Sequence, residues 1–500
     1  MPRPTLFRML LLERRWDRWS TFCLRFEQAA RDLAKEINAP RLATITVPRR
    51  SFDRWAKGDW RGVPRPDTAL ILERLFGVPS EHLFSPAPET LHLQAPSHDR
   101  DGLSASLTIT ENWSTSRLFM PAGELPGSWE MVGRQALDGT ASAVAFRPAI
   151  RAGSIAQIDV ANTGSLDRFL RSARRGFLIG VDDRESTPQL FVIDAANARR
   201  ARATFPGRSV IELPVAHVLD DLTYGLLWSL VQFDDGLLAD DSALAQERHA
   251  LDAYLTLPRS APSRLAMPDL TTAGTQWLGS SFCAQHIMRR LDGLTEPPVF
   301  WTREQTGEQA AAWLWFQHKI DYLRALSSRY ADSATPMSRA FCIPESEVSR
   351  SDRYERILLL LAISLMELQG IRVDVLPDPE YAEMDGFALI PERQAVVANW
   401  TRTDDAIWAV DTVTQRPALR GYREAAGEAQ AHSVMRGPDP QTRLRALAGY
   451  LEIDWTWLIG RCRELRECGT ASIVRPRSRH LSVEALDEVF HFFGSLAPDR

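Results

Sequence analysis

Val47-Pro48-Arg49-Arg50-Ser51-Phe52-Asp53-Arg54-Trp55-Ala56-Lys57-Gly58 decides how the first part of this 500-residue chain folds. Pro48 suits the first turn of a helix, where its missing N–H costs nothing. Gly58 suits the stop, because it tolerates the left-handed conformation that ends many helices. Between them, helical spacing puts Phe52 and Trp55 on one face and leaves Arg49, Arg50, Ser51, Arg54 and Lys57 for the other. The aromatic pair needs a core to cover it, and the basic face needs water or an anion.

Upstream, Arg25 to Asn38 reads as a helix with Phe26, Ala29, Ala30, Leu33, Ala34 and Ile37 on one stripe, ended by Ala39-Pro40. Downstream, Pro66 to Phe76 is expected to be helical, with Ala69, Leu70, Leu72, Leu75 and Phe76 apolar and Gly77 as its stop, and Ser80 to Phe84 closes the unit. Residues 1–84 hold an excess of about six positive charges, so the remainder carries about −11 of a net charge of −5. A basic head on an acidic body is the charge layout of a nucleic-acid binder whose other domains do something else. Arginine can grip guanine bidentately, and Arg or Ser can hold phosphates. The candidate DNA contacts are therefore Arg49, Arg50, Ser51, Arg54 and Lys57, with Arg61 and Arg65 from the turn that follows. The competing reading is a solvated helix face.

The order of these pieces resembles the Xre, or phage-repressor-like, helix-turn-helix family. The residues that carry the resemblance are Trp55-Ala56-Lys57-Gly58, Pro64-Arg65-Pro66-Asp67, Leu72-Glu73-Arg74-Leu75-Phe76-Gly77-Val78 and the closing Leu83-Phe84. The likeness covers about residues 22–85. It implies a DNA reader with the helix after Pro48 as the recognition helix, and double-stranded DNA as partner. Pro40 to Thr46 departs from the pattern, because the family has a clear helix there.

After Pro86, Pro88 and Pro96, which read as a linker, short apolar runs take over: Leu107–Ile109, Ala143–Phe146, Ile155–Val160, Phe177–Val181, Leu190–Ile193 and Val210–Leu213. Turns at Asp138-Gly139, Asn162-Thr163-Gly164 and Pro206-Gly207 separate them, so a β-rich domain is expected. The stretch Ala145 to Asp159 is similar to the nucleophile strand and turn of self-cleaving repressor peptidases. That family requires a serine where Ala145 stands and a lysine base, yet no lysine lies between Lys57 and Lys319. Sensing or dimerisation is the role left to this segment.

Beyond Leu251, helices and strands alternate. Thr302–Leu326 and Ser351–Gln369 read as helices, Ser338–Ile343 and Ile371–Leu376 as strands, and Phe387–Ile390 with Ala395–Asn399 as a hairpin. The sequence Gly370-Ile371-Arg372-Val373-Asp374-Val375-Leu376-Pro377 and the hairpin after it resemble half of a phospholipase D-like domain. The catalytic His-x-Lys-x4-Asp of that family is absent; His318-Lys319 are adjacent and sit in a helical pattern. Residues 443–451, 455–468 and 482–496 read as helices of a tail. Arg461, Arg463, Arg466, Arg475, Arg477 and Arg479 form a second basic cluster there, with a solvated face as the expectation. The acidic pairs Asp182-Asp183, Asp220-Asp221, Asp240-Asp241 and Asp404-Asp405 read as solvated loop tips.

The longest apolar run, Ile357 to Met366, is about half of the ~20 residues a membrane helix needs. Leu10-Leu11-Leu12 is followed at once by Glu13-Arg14-Arg15, so no signal peptide is expected. The five cysteines are scattered without a CxxC pair, which fits a reducing cytoplasm and argues against disulfides or zinc. No phosphate-binding glycine loop, HExxH or GxSxG occurs. The aromatic clusters Trp313-Leu314-Trp315-Phe316, Trp455-Thr456-Trp457 and Phe490-His491-Phe492-Phe493 serve either a core or an apolar ligand pocket.

The expected architecture is multidomain α+β: an all-α helix-turn-helix head (1–90), a β-rich middle domain (91–245), an α/β third domain (246–415) and a helical C-terminal region (416–500). The expected function is a cytoplasmic, nucleoid-associated, homodimeric DNA-binding regulator. No membrane, cofactor, metal or catalytic residue is expected. A small-molecule or protein effector would be sensed by the body. The alternative is an effector or enzyme domain in residues 100–415, tethered to DNA by the head.

Overall fold

The computed structural model describes all residues except 1–4, 14–15, 17–18, 37–38, 58–63, 77–79, 86–111, 120–126, 162–163, 173–174, 185–186, 206, 261–269, 391–392, 400–407 and 497–500. The chain is multidomain and mixed α+β, with many helices and two separate sheets. It divides into two compact units, Met1–Ser97 and His98–Arg500. The expected linker prolines, the run Leu107–Ile109, the glycine stops Gly58 and Gly77, and Asp404-Asp405 lie outside the described residues.

The first unit is all helical: α1 (Leu6–Glu13), α2 (Trp19–Glu36), a 3₁₀ turn (Pro40–Thr44), α3 (Arg49–Lys57), α4 (Pro66–Phe76) and α5 (Ser80–Leu83). Its core gathers Phe7, Phe22, Phe26, Leu42, Phe52, Trp55, Ile71, Leu72 and Phe76. Two expectations need correction. α2 begins at Trp19 rather than Arg25, which brings Phe22 into the core beside Phe52. On α4, Leu70 is exposed and Ile71 is buried, because the stripe through Ala69, Leu72 and Phe76 faces inward and Leu70 turns away from it. The helix α1 was not anticipated; Phe7 anchors it by packing against Phe22, Trp55, Phe76 and Phe84.

The second unit opens with a seven-stranded sheet: β1 (Ser116–Phe119), β2 (Gly127–Met131), β3 (Thr140–Ala152), β4 (Ile155–Asp159), β5 (Gly176–Asp182), β6 (Gln189–Asp194) and β7 (Val210–Pro214). β3 is its spine. It runs antiparallel to β2 and β4 and parallel to β5. Ala145 pairs with Leu178, and Gly153 takes φ +63° in the β3–β4 turn, where a side chain would be strained. Gly164, read as part of a turn, instead opens helix α6 (Gly164–Ser172); α7 (Ala195–Thr204) covers the same face.

A 31-residue helix, α8 (Asp221–Leu251), follows. It runs through the expected boundary at residue 245. A second sheet comprises β8 (Arg259–Ser260), β9 (Val299–Thr302), β10 (Ser338–Cys342), β11 (Arg372–Leu376), β12 (Phe387–Ile390), β13 (Gln394–Asn399) and β14 (Ala409–Val413), in the order β11-β10-β9-β12-β13-β14-β8. β9, β10 and β11 are parallel, and the β12–β13 hairpin adds antiparallel with Phe387 opposite Val397. Around it lie α9 (Thr272–Arg290), α10 (Gly307–Trp315), α11 (Gln317–Arg329), α12 (Glu345–Arg350) and α13 (Arg353–Leu368). The run Ile357 to Met366 is buried along α13.

The expected single helix from Thr302 to Leu326 is two helices. Thr302 ends β9, and Phe316 is extended between α10 and α11. The tail causes the break: Gln317 donates its N–H to the His480 carbonyl at 3.0 Å, and Ser482 donates to the Trp315 carbonyl at 2.9 Å. The tail helices are α14 (Arg416–His432), α15 (Pro440–Tyr450), α16 (Trp455–Cys468), α17 (Thr470–Ile473) and α18 (Glu484–Ser495). One apolar core runs from Trp113 through α8 and α13 to Phe493, so residues 98–500 hold together as one unit rather than as three.

The second basic cluster is not simply a solvated face. Arg461 is buried, with Nε 2.6 Å from Asp220, while Arg477 pairs with Asp234 and Arg479 with Asp241. Three of the acidic pairs each supply a structural carboxylate rather than a solvated loop tip. Asp220 caps α8 through Thr223, buried Asp240 accepts the Thr271 N–H at 2.9 Å, and Asp182 is held well below the usual carboxylate range chiefly by Arg184. No helix among the described residues is long and apolar enough to cross a membrane.

Candidate nucleic-acid interface

α3 begins directly after Pro48, whose carbonyl accepts the Ser51 N–H at 2.9 Å and the Phe52 N–H at 3.2 Å. Phe52 and Trp55 are buried on one side. Phe52 packs at 4.9 Å against Phe22 of α2, and Trp55 at 5.8 Å against Phe7 of α1. These contacts fix the rotation of α3 about its axis. The opposite side is therefore determined too: Arg49, Arg50, Asp53, Arg54 and Lys57 are exposed, and Ser51 is half-buried at the edge. At about 100° per residue, Arg50, Arg54 and Lys57 fall within a sector of about 60°.

Four cations and one carboxylate leave this helix with a net charge of +3. Asp53 lies among the cations and would face any anion that they attract. Burial is too slight on this side to hide the charges from solvent, so the helix presents a positive potential outward.

Arg65 is exposed at the entrance to α4, where its carbonyl accepts the Ala69 N–H at 2.8 Å. Arg61 lies outside the described residues. The structure thus gathers Arg49, Arg50, Arg54 and Lys57 on one face, leaves Ser51 at its margin, and sets Arg65 on a separate element.

Arg41 was missed. It is exposed on the 3₁₀ turn that precedes α3 and reaches Asp67 at 3.3 Å. The signal for it was Pro40 at the first position of that turn, which marks a helical start in the very segment that departs from the repressor-like pattern. A further brace closes the unit from behind: Glu73 accepts the Ser80 N–H at 2.9 Å, and this hydrogen bond holds its carboxyl below the ordinary value.

Chemically, such a face can attract an anion. Arginine forks and a lysine can contact phosphate oxygens and the O6 and N7 of guanine. Among the described residues, no three His, Cys, Asp or Glu side chains are grouped to hold a metal ion. No family model matches the chain, and no curated protein or solved structure matches it either.

Proposed function

We propose that the protein is a sequence-specific DNA-binding regulator that lays α3 in the major groove. The observation that carries this reading is the division of α3: Phe52 and Trp55 are locked inward while Arg49, Arg50, Arg54 and Lys57 stand outward on one side. A helix about 10–12 Å across with its side chains matches the major groove in width, and arginines on the outer face can reach base edges. The proposal includes a homodimer, since two-fold symmetric proteins read paired half-sites. The unit of residues 98–500 then serves as sensor and dimerisation body, and the protein works among nucleoid DNA in the cytoplasm.

Genome-wide mapping of the DNA bound in the native host tests this. A small set of sites sharing one sequence is expected. Titration of purified protein on such a site against salt should show a steep loss of affinity, because phosphate contacts release counterions. Binding without sequence preference, or with a flat salt response, would overturn the reading.

A further inference from the structure

One cavity in the second unit is lined by side chains from seven elements that no sequence motif joins. Arg339 of β10 is buried on its wall. Its Nη1 donates to the Thr302 hydroxyl at 2.7 Å, and its guanidinium carbon lies 4.5 Å from the Phe300 ring and 5.1 Å from the Trp313 ring. Its Nε and Nη2 are buried and form no well-made hydrogen bond. The Tyr322 hydroxyl lies beside the same guanidinium but brings no charge to it.

Lys319 of α11 lines the same wall. Its Nζ is 3.7 Å from the Glu304 carboxylate and 3.7 Å from the Trp313 ring. Glu304 also accepts the Trp313 indole N–H at 2.9 Å. Arg303, at the rim, is matched by Asp385 at 2.9 Å and Glu383 at 3.6 Å. The inner wall therefore holds two buried cations against one carboxylate. Removing two cations from water is costly unless each gains a partner. The arrangement lacks one negative charge, and the missing partner belongs where the Arg339 N–H groups stand.

The remaining lining is apolar and aromatic, from Phe300, Trp301 and Phe387, with Asn399 at one side. The cavity volume is about 70 Å³. That is room for roughly five waters at about 10–15 Å³ each. A planar fork with a single uncompensated charge suits a carboxylate.

We propose that this cavity is a binding site for a small monoanionic organic carboxylate, held by Arg339 and Lys319 at its charged end and by the aromatic walls at its apolar end. The site stands apart from the DNA-binding reading, because binding is measured on the protein alone. The negative charge of the ligand completes the Arg339–Lys319–Glu304 cluster, and an uncharged amide of the same shape cannot.

Calorimetry and thermal unfolding of the full chain test it, with benzoate as probe, benzamide as the neutral isostere and inorganic phosphate as the competing anion. Benzoate is expected to bind one per chain and to raise the melting temperature, with benzamide and phosphate at least tenfold weaker. Arg339→Gln should lose at least tenfold in benzoate affinity. Because Arg339 is buried, Ala284→Trp supplies a second variant; Ala284 is half-buried on α9 and lines the cavity, so the indole fills the space without altering a charge.

Burial lowers the Lys319 pKa to about 8, with Glu304 opposing and Arg339 adding to the fall, beside Cys283 and His318. Benzoate affinity should accordingly weaken as pH rises through that value. Failure of benzoate to saturate, equal binding of benzamide or phosphate, or unchanged affinity in Ala284→Trp would overturn the proposal.

Discussion

Arg477 faces Asp234 with its Nε 2.9 Å from a carboxylate that has no solvent exposure. The same carboxylate accepts the backbone N–H groups of Arg477 at 2.9 Å and Ser478 at 2.7 Å, and it pairs with Arg175, which also reaches Asp194 at 2.6 Å. One aspartate on α8 thus ties the first sheet to the tail. Removing one partner of a buried pair leaves the others charged and dry, which typically costs about 3–5 kcal/mol. Asp234→Ala should lose that much stability in urea unfolding of the full chain. Asp235→Ala, next to it but partly exposed, should lose less than about 1 kcal/mol. Equal losses from the two would show that the buried hub is not what holds the tail.

The contrast between Asp234 and α3 explains what could be read from the sequence. Phe52 and Trp55 are three residues apart and share a face for local reasons, so α3, α4, α16 and the β12–β13 hairpin were legible. The break at Phe316 was not, because its cause is a pair of backbone hydrogen bonds to residues 480 and 482. Arg461, Arg477 and Arg479 likewise form a cluster in sequence, yet their partners are on α8 or at its N-cap. The cavity around Arg339 was illegible for the same reason. Trp313 and Lys319 showed an aromatic cluster and a rare lysine, but only the fold brings them to Phe300 and Arg339.

Glu355 at the start of α13 is almost wholly buried, with its carboxylate 2.9 Å from Arg134. Burial pushes its pKa up to about 7 from 4.5, with Arg134 opposing and Glu308 adding to the rise. The folded chain thus holds this proton more tightly than the unfolded chain. Its contribution to stability is fully present below about pH 4.5 and is lost as pH rises through about 7. Glu355→Gln keeps the neutral shape at every pH. Relative to wild type, it should gain about 1–3 kcal/mol between pH 4.5 and pH 8, read from urea midpoints at each pH. A constant difference across that window would refute the burial argument.

His217 has the opposite sign. Its ring sits between the Val192 carbonyl at 3.1 Å and the Ser472 hydroxyl at 3.0 Å. Burial lowers its pKa to about 4 from 6.5; the Val192 carbonyl opposes the fall and Arg461 adds to it. Below pH 6.5 the unfolded chain takes up a proton that the folded chain refuses. Stability from this group is therefore present above that pH and lost as pH falls through about 4. His217→Gln should be less stable than wild type at pH 7, through a disturbed pair of hydrogen bonds. The gap should narrow by about 1–3 kcal/mol on acidification to pH 4. Acid unfolding midpoints measure it, and a gap that widens would assign the acid sensitivity elsewhere.

On the proposed DNA-binding reading, one face of α3 serves folding and the other recognition, and variants on its two faces should report that separately. Trp55 is buried against Phe7 and Phe84, so Trp55→Ala should cost about 3–5 kcal/mol in the stability of the first unit and lose DNA binding by unfolding it. Arg50 and Arg54 are exposed on the other face, and surface substitutions there should move stability by no more than about 0.5 kcal/mol. If they reach base edges, Arg50→Ala and Arg54→Ala should each weaken binding to the mapped site by about 1–3 kcal/mol and relax its sequence preference. Lys57→Ala should weaken binding to all sequences alike and reduce the salt slope by about one, as loss of a phosphate contact does. Asp53→Asn should strengthen binding, since it removes the carboxylate from that face. Circular dichroism melts paired with fluorescence anisotropy on the full chain give both readouts. Arginine variants that fold normally and bind the site as wild type does would take α3 out of the groove, and an Asp53→Asn variant that binds more weakly would place the DNA on another face of the unit.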